Sequence, residues 1–127
     1  MIRRQLINFQ NRSVDVRVGL GAFDELSRMF SSVGKPKRAM VVWNDDTSER
    51  FGEVVEHALV DAGFAVSLLV LDVSPAGATL ADADTVFGAL SANGVTCDDL
   101  VVAVGDAATC SVVSWCANQW CGRTECA

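Results

Sequence analysis

The sequence predicts an α/β fold, a parallel β-sheet covered by helices on both faces and preceded by a β-hairpin. Three observations carry this. The runs RAMVVW, AVSLLVL and LVVAV are continuously apolar, as strands buried on both faces are. The segments between and after them place apolar residues at helical spacing and end at glycine or Asn-Gly. The connections are short, so the crossovers are right-handed and the sheet is parallel.

The elements follow in order. In QLINFQNRSVDVRVG, apolar and polar residues alternate on both sides of Asn11 and Arg12, as two half-buried strands joined by a turn would. GAFDELSRMFSS then sets Phe23, Leu26, Met29 and Phe30 on one helical face, and Gly34 and Pro36 break the chain before RAMVVW. The next helix carries Phe51, Val54, Val55, Ala58, Leu59 and Ala62 behind a capping region at Asp46, Thr47 and Ser48, and Gly63 closes it. AVSLLVL reads as a buried strand, and the loop DVSPAGAT leads into a helix over 79–92 with an inward stripe of Leu80, Ala83, Val86, Phe87 and Leu90. Asn93-Gly94 ends that helix. LVVAV is a further buried strand, and a last helix over 109–121 is apolar on nearly every side. The pattern is that of a Rossmann-like half, without internal repeats or a linker.

A chain of 127 residues fits one domain, and such a domain buries roughly two-thirds of the surface its unfolded chain exposes. Hydrophobic residues make up 50% and charged residues 20%, which excludes disorder. A net charge of −6, with Lys35 and Lys37 as the only lysines, argues against nucleic acid and anionic membrane as partners. No run approaches a membrane span, and MIRRQLINFQNRS lacks the apolar core of a signal peptide, so the expected location is the cytoplasm. Cys110, Cys116, Cys121 and Cys126 are too widely spaced for the close pairs of zinc sites, and His57 has no second histidine to join it. Neither a metal site nor a catalytic group is expected.

Ligands of an open parallel sheet sit beyond the carboxyl ends of its strands. Three stretches lie there, from Trp43 to Ser48, from Val73 to Thr79, and from Gly105 to Ser111. A loop that wraps a pyrophosphate needs glycines for close backbone approach and a helix amino terminus to supply N–H donors. GDAATCS has that topology with Gly105 alone, and Asp106 adds a carboxylate where phosphates would lie.

The order VDVRVGLGAFDEL, KRAMVVWNDDTSERFGEVVEHALVDAGFAVSLLVLD, LVVAVGDAATCSVVSWCANQWCGR resembles the amino-terminal, nicotinamide-binding half of 3-dehydroquinate synthase over essentially the whole chain. More distantly it resembles the glycerol dehydrogenases and iron-dependent alcohol dehydrogenases. The resemblance implies NAD as cofactor and a place in a carbon-oxygen lyase of the shikimate pathway. In that family the cofactor transiently oxidises a substrate hydroxyl, phosphate is eliminated and the ring closes.

Carried over residue by residue, the family's ribose-binding aspartate falls on Asn44. Its Gly-Glu and lysine fall on Ser74, Pro75 and Ala78, with Thr79 closing that stretch. Its glycine loop falls on Gly105, Asp106, Ala107, Ala108, Thr109, Cys110 and Ser111, which keep one glycine of four. Its aromatic-Leu-Arg-Gly helix end is shuffled to Trp120, Cys121, Gly122 and Arg123, and the sequence ends at Ala127, about where the next strand would run. The family's metal ligands, a glutamate and two histidines, belong to a carboxyl-terminal helical domain that these residues do not contain. The expectation is one domain, 1–127, with weak or no NAD binding and no activity alone. A carboxyl-terminal domain or subunit is expected to pack on the 109–121 helix, in a homo-oligomer.

The residues allow two other readings. A non-catalytic module could dock its apolar last helix on a partner or on itself. VVWNDDTSERFGEVV also resembles the start of a receiver domain, with Asp45 and Asp46 as magnesium ligands and Asp106 as phosphoacceptor. Asp106 stands too far along the chain and no lysine follows it, so Asp45 and Asp46 read as helix-capping carboxylates.

Overall fold

A computed structural model describes residues 2–9, 12–31, 38–122 and 124–127. Two strands, β1 (Arg3–Phe9) and β2 (Arg12–Val18), form an antiparallel hairpin as expected, with Arg12 as the first residue of β2. Asn11, and the expected chain break at Gly34 and Pro36, lie outside the described residues, as do Lys35, Lys37 and Arg123.

The remaining strands make one four-stranded parallel sheet. They are β3 (Arg38–Trp43), β4 (Ala65–Val70), β5 (Leu100–Val104) and β6 (Glu125–Cys126), in the order β4-β3-β5-β6. Among the described residues the α-helices are α1 (Leu26–Ser31), α2 (Asp45–Asp61), α3 (Leu80–Ala92) and α4 (Ala107–Gln119). This is the Rossmann-like α/β architecture that the apolar runs predict.

Alternation along β3 divides the core. Ala39, Val41 and Trp43 face α1 and α2 together with Leu100 and Val102, whereas Met40 and Val42 face α3 and α4 together with Val101. Every β3 residue after Arg38 is buried, so both helical layers rest on this strand. Helix α2 packs over it, and a Cβ at Gly52 would meet the Trp43 ring at an ordinary van der Waals distance of 3.7 Å. Among the described residues the buried Trp43 indole N–H has no hydrogen-bond partner, a cost of about 1–3 kcal/mol.

Five expectations change. β4 is an edge strand rather than a buried one, and Leu68 and Val70 remain 47% and 51% exposed, because nothing described pairs with its outer side. Leu80 leaves the inward stripe of α3 and is 83% exposed, since the first turn of that helix projects past its packing partners, while Ala83, Val86 and Leu90 are buried. In the first helical segment, Ala22–Glu25 form a 3-10 turn before α1, and of the four expected inward residues Phe30 alone is fully buried. Helix α4 starts two residues earlier than expected, at Ala107, and its end tightens into a 3-10 turn over Trp120–Gly122. Nor is α4 apolar all round: Thr109, Val112, Val113, Cys116 and Ala117 are buried, whereas Ser111, Trp115, Asn118 and Gln119 are exposed.

His57 is exposed, as expected of a surface side chain, and all five cysteines are free thiols. Among the described residues no group of His, Cys, Asp and Glu is placed to hold a metal ion, and no helix is long and apolar enough to cross a membrane.

Candidate functional site

The crevice of an open parallel sheet lies where the strand order reverses. Here that point is between β3 and β5, because the chain leaves β3 for β4 on one side and returns to β5 on the other. Trp43 and Val104 are paired at the ends of these strands, so Asn44 and Gly105 emerge side by side. The two connections are also tied together: the Thr47 hydroxyl lies 3.3 Å from the Val104 carbonyl oxygen and 2.9 Å from Asn44 Oδ1.

Asn44 is the amino-terminal cap of α2. Its Oδ1 accepts from the Thr47 N–H at 2.8 Å, and its own N–H donates back to the Thr47 hydroxyl at 3.1 Å. The cap is therefore Asn44 and not the expected 46–48 region, because Asp45 and Asp46 already have helical geometry and occupy the first turn, where their charge favours the helix dipole. Asp46 also lies 3.6 Å from Arg50, an exposed pair one turn apart.

Asp106 caps α4 in the same way. Its Oδ1 accepts from the Thr109 N–H at 3.0 Å. Bonds from the Thr109 N–H and hydroxyl, and more weakly from the Ala108 N–H, hold the Asp106 carboxyl below the usual carboxylate range. Gly105 permits this turn: its φ is 157°, and a Cβ there would meet the buried Thr109 side chain at 3.2–3.4 Å. Cys110 sits behind the loop with its Sγ 3.7 Å from the Gly105 carbonyl oxygen, and desolvation, then the Asp106 charge, raise its pKa.

Among the described residues no hydrogen bond draws the other expected site residues into the crevice. Ser74 accepts from the Ala76 N–H at 3.3 Å within its own turn. Thr79 caps α3 in a reciprocal box with Asp82, accepting from its N–H at 3.3 Å and donating its own N–H to the carboxylate at 2.9 Å. Ala107 and Ser111 are exposed on the first turns of α4, and Ala108 packs against the α3–α4 core. Thr47, expected only as part of a capping region, is the residue that ties the two connections together. Its signal is the Asn-x-x-Thr spacing, which matches a reciprocal cap.

All three helices that begin at the carboxyl edge of the sheet thus carry their own side-chain caps, from Asn44, Thr79 and Asp106. Their first turns and caps hold Asp45, Asp46, Asp82 and Asp106, which makes this rim acidic. An anion approaching it meets like charge at helix ends whose donors are partly taken.

No protein-family profile matches the chain. It is 24% identical over 99 residues to 3-dehydroquinate synthases from two strains of Enterococcus faecalis, covering 78% of this chain and 28% of each relative. It is 25% identical over 116 residues to the 3-dehydroquinate synthase of a Synechococcus species, covering 90% of this chain and 31% of that relative. The chain therefore spans less than a third of the length of these curated relatives, and its similarity to them is distant but runs along most of its own length.

Proposed function

We infer that residues 1–127 are the dinucleotide-binding-type unit of a 3-dehydroquinate synthase-like protein, one whose site holds NAD weakly or not at all and which is not catalytic alone. The observation that carries this reading is the Asp106 carboxylate on the amino terminus of α4. A pyrophosphate is bound at such a helix end by free backbone donors and the positive end of the dipole. Here a resident carboxylate takes the Thr109 donor and places a negative charge where the phosphates would lie. Asn44 lacks the charge of a ribose-binding carboxylate, and its Oδ1 already serves the α2 cap. The residues present do not fit the diphosphate.

A second reading, a non-catalytic interaction module, is favoured by Trp115. It is 50% exposed and lies 6.0 Å from the Phe87 ring on an otherwise polar outer face of α4. A carboxyl-terminal domain or separate subunit seated on this helix would cover it.

Thermal melting in millimolar NAD tests the first reading. A ligand at 100 times its Kd stabilises the native state by about 2.7 kcal/mol, which moves the midpoint of a domain this size by several degrees. The expected result is no shift; a rise of several degrees would contradict the inference.

A further inference from the structure

We propose that Cys97 and Cys121 are a redox pair: oxidised, they join in a disulfide that latches the turn after α4 to the loop before β5 and so holds the edge strand β6 on the sheet.

The packing of the segment that follows α4 brings the two thiols together. The Trp120 indole N–H donates to the Val95 carbonyl at 2.7 Å, and the Thr124 hydroxyl lies 3.4 Å from the Thr96 carbonyl oxygen. Between these two anchors the Cys121 Sγ rests 3.9 Å from the same Val95 oxygen. Cys97 follows directly on Thr96 and stands two positions after Val95, and two residues of chain span at most about 7 Å. A disulfide needs Cα atoms about 4.4–6.8 Å apart, a separation within the reach of these two loops. Both thiols are exposed to an oxidant, whereas Cys116 is buried and Cys110 and Cys126 are partly covered.

Backbone strain marks the same residue. Among the described residues Cys121 is the one non-glycine with positive φ, at φ 49° and ψ 39°. Glycine adopts that conformation freely, and Gly122 follows with φ 87°, yet the sequence carries a thiol at the strained position.

The latch acts where the sheet is weakest. Strand β6 has two residues and pairs with β5 alone, Glu125 opposite Leu100 and Cys126 opposite Val101. Its flanks are held by backbone bonds from Thr124 to Ala117 and between Ala127 and the β5 residues Val101 and Ala103, each 2.8 Å. A bond between Cys97 and Cys121 closes a ring around β5 and α4, which restricts the unfolded chain and keeps the end of the sheet from fraying.

The oxidant is a small disulfide of the glutathione class. The thiolate of one cysteine attacks a sulfur of it, forming a mixed disulfide and breaking the small S–S bond, whose electron pair leaves on the displaced thiolate. The thiolate of the other cysteine then attacks the protein sulfur of the mixed disulfide, and the second half leaves in the same way. Two protein thiols give up two electrons and two protons, which are taken up as two small thiols.

Incubation of the full chain with glutathione disulfide, followed by acid quench, alkylation and peptide mapping, tests the pair. The expected product is a monomer lighter by two hydrogens in which the peptides holding Cys97 and Cys121 are joined. It should melt several degrees above the reduced chain, with amide exchange over residues 124–127 slowed about tenfold, and dithiothreitol should reverse both changes. Cys97→Ser and Cys121→Ser should each lose the link and stop at a mixed disulfide on the remaining thiol, while Cys110→Ser keeps it. Glutathione held on both cysteines without a link would overturn the proposal. So would a link to Cys110, Cys116 or Cys126, a link between two chains, or exchange over residues 124–127 that oxidation leaves unchanged.

Discussion

The Asp106 carboxylate accepts a hydrogen bond from the Thr109 N–H at 3.0 Å, closing the end of α4 that a bound phosphate would use. This cap has a pH signature. Bonding from Thr109 lowers the folded-state pKa of Asp106, so its contribution to stability is present above the unfolded value near 4 and is lost as pH falls through the lower folded value. Asp15, lowered first by Arg17 and then by Arg4, adds to the same acid limb. Urea midpoints measured from pH 5 down to pH 2 should fall less steeply for Asp106→Asn than for the wild type, because asparagine caps without titrating. Parallel curves would remove the carboxylate from this role.

Gly105→Ala should destabilise the domain by about 1–3 kcal/mol, the scale of a strained backbone position. The residue combines a φ of 157° with a Cβ position 3.2 Å from the Thr109 Cβ. Thr109 is buried and has little room to give way. Chemical denaturation of the two proteins side by side measures the difference, and a change below about 0.5 kcal/mol would mean that the turn relaxes freely.

Asn44→Ala should cost about 1 kcal/mol by removing the α2 cap, and Asn44→Asp should cost little at neutral pH because aspartate caps equally well. Equal losses in the two variants would show that Oδ1 is not the acceptor that matters.

Helix α3 offers a test of burial. Leu90 is fully buried and Leu80 is 83% exposed. Leu90→Ala should therefore cost about 2–5 kcal/mol, while Leu80→Ala should stay within about 0.5 kcal/mol. Similar losses at both positions would return Leu80 to the core.

The thiols should separate under alkylation. Burial pushes the Cys116 thiol up to about 11 and that of Cys126 up to about 12, whereas Cys97 and Cys121 are exposed. At pH 8 peptide mapping should find Cys97 and Cys121 modified first by iodoacetamide, with Cys116 and Cys126 protected until the chain unfolds.

Much of this fold is legible in the sequence because its elements are punctuated. RAMVVW, short, apolar and bounded by a Gly/Pro break, is the buried strand that it predicts, and Gly63 and Asn93-Gly94 stop their helices where the pattern predicts. Position in the sheet is not written locally. AVSLLVL is as apolar as RAMVVW, yet it lies at an edge, since strand order depends on which crossover turns back. The same limit applies to Leu80, whose helical phase points inward while its place in the first turn carries it beyond the core. In the site, the single glycine of GDAATCS is plain by comparison with a nucleotide loop. The capping by Asn44 and Asp106 is a matter of backbone geometry, visible once φ, ψ and distances are in hand.

The most direct test of the self-capped site is calorimetric titration of the full chain with NAD at neutral pH. Heats indistinguishable from dilution up to millimolar NAD are the predicted result. A saturable isotherm with a Kd in the micromolar range would contradict it, because a dinucleotide would then be bound despite the Asp106 carboxylate and the single remaining glycine.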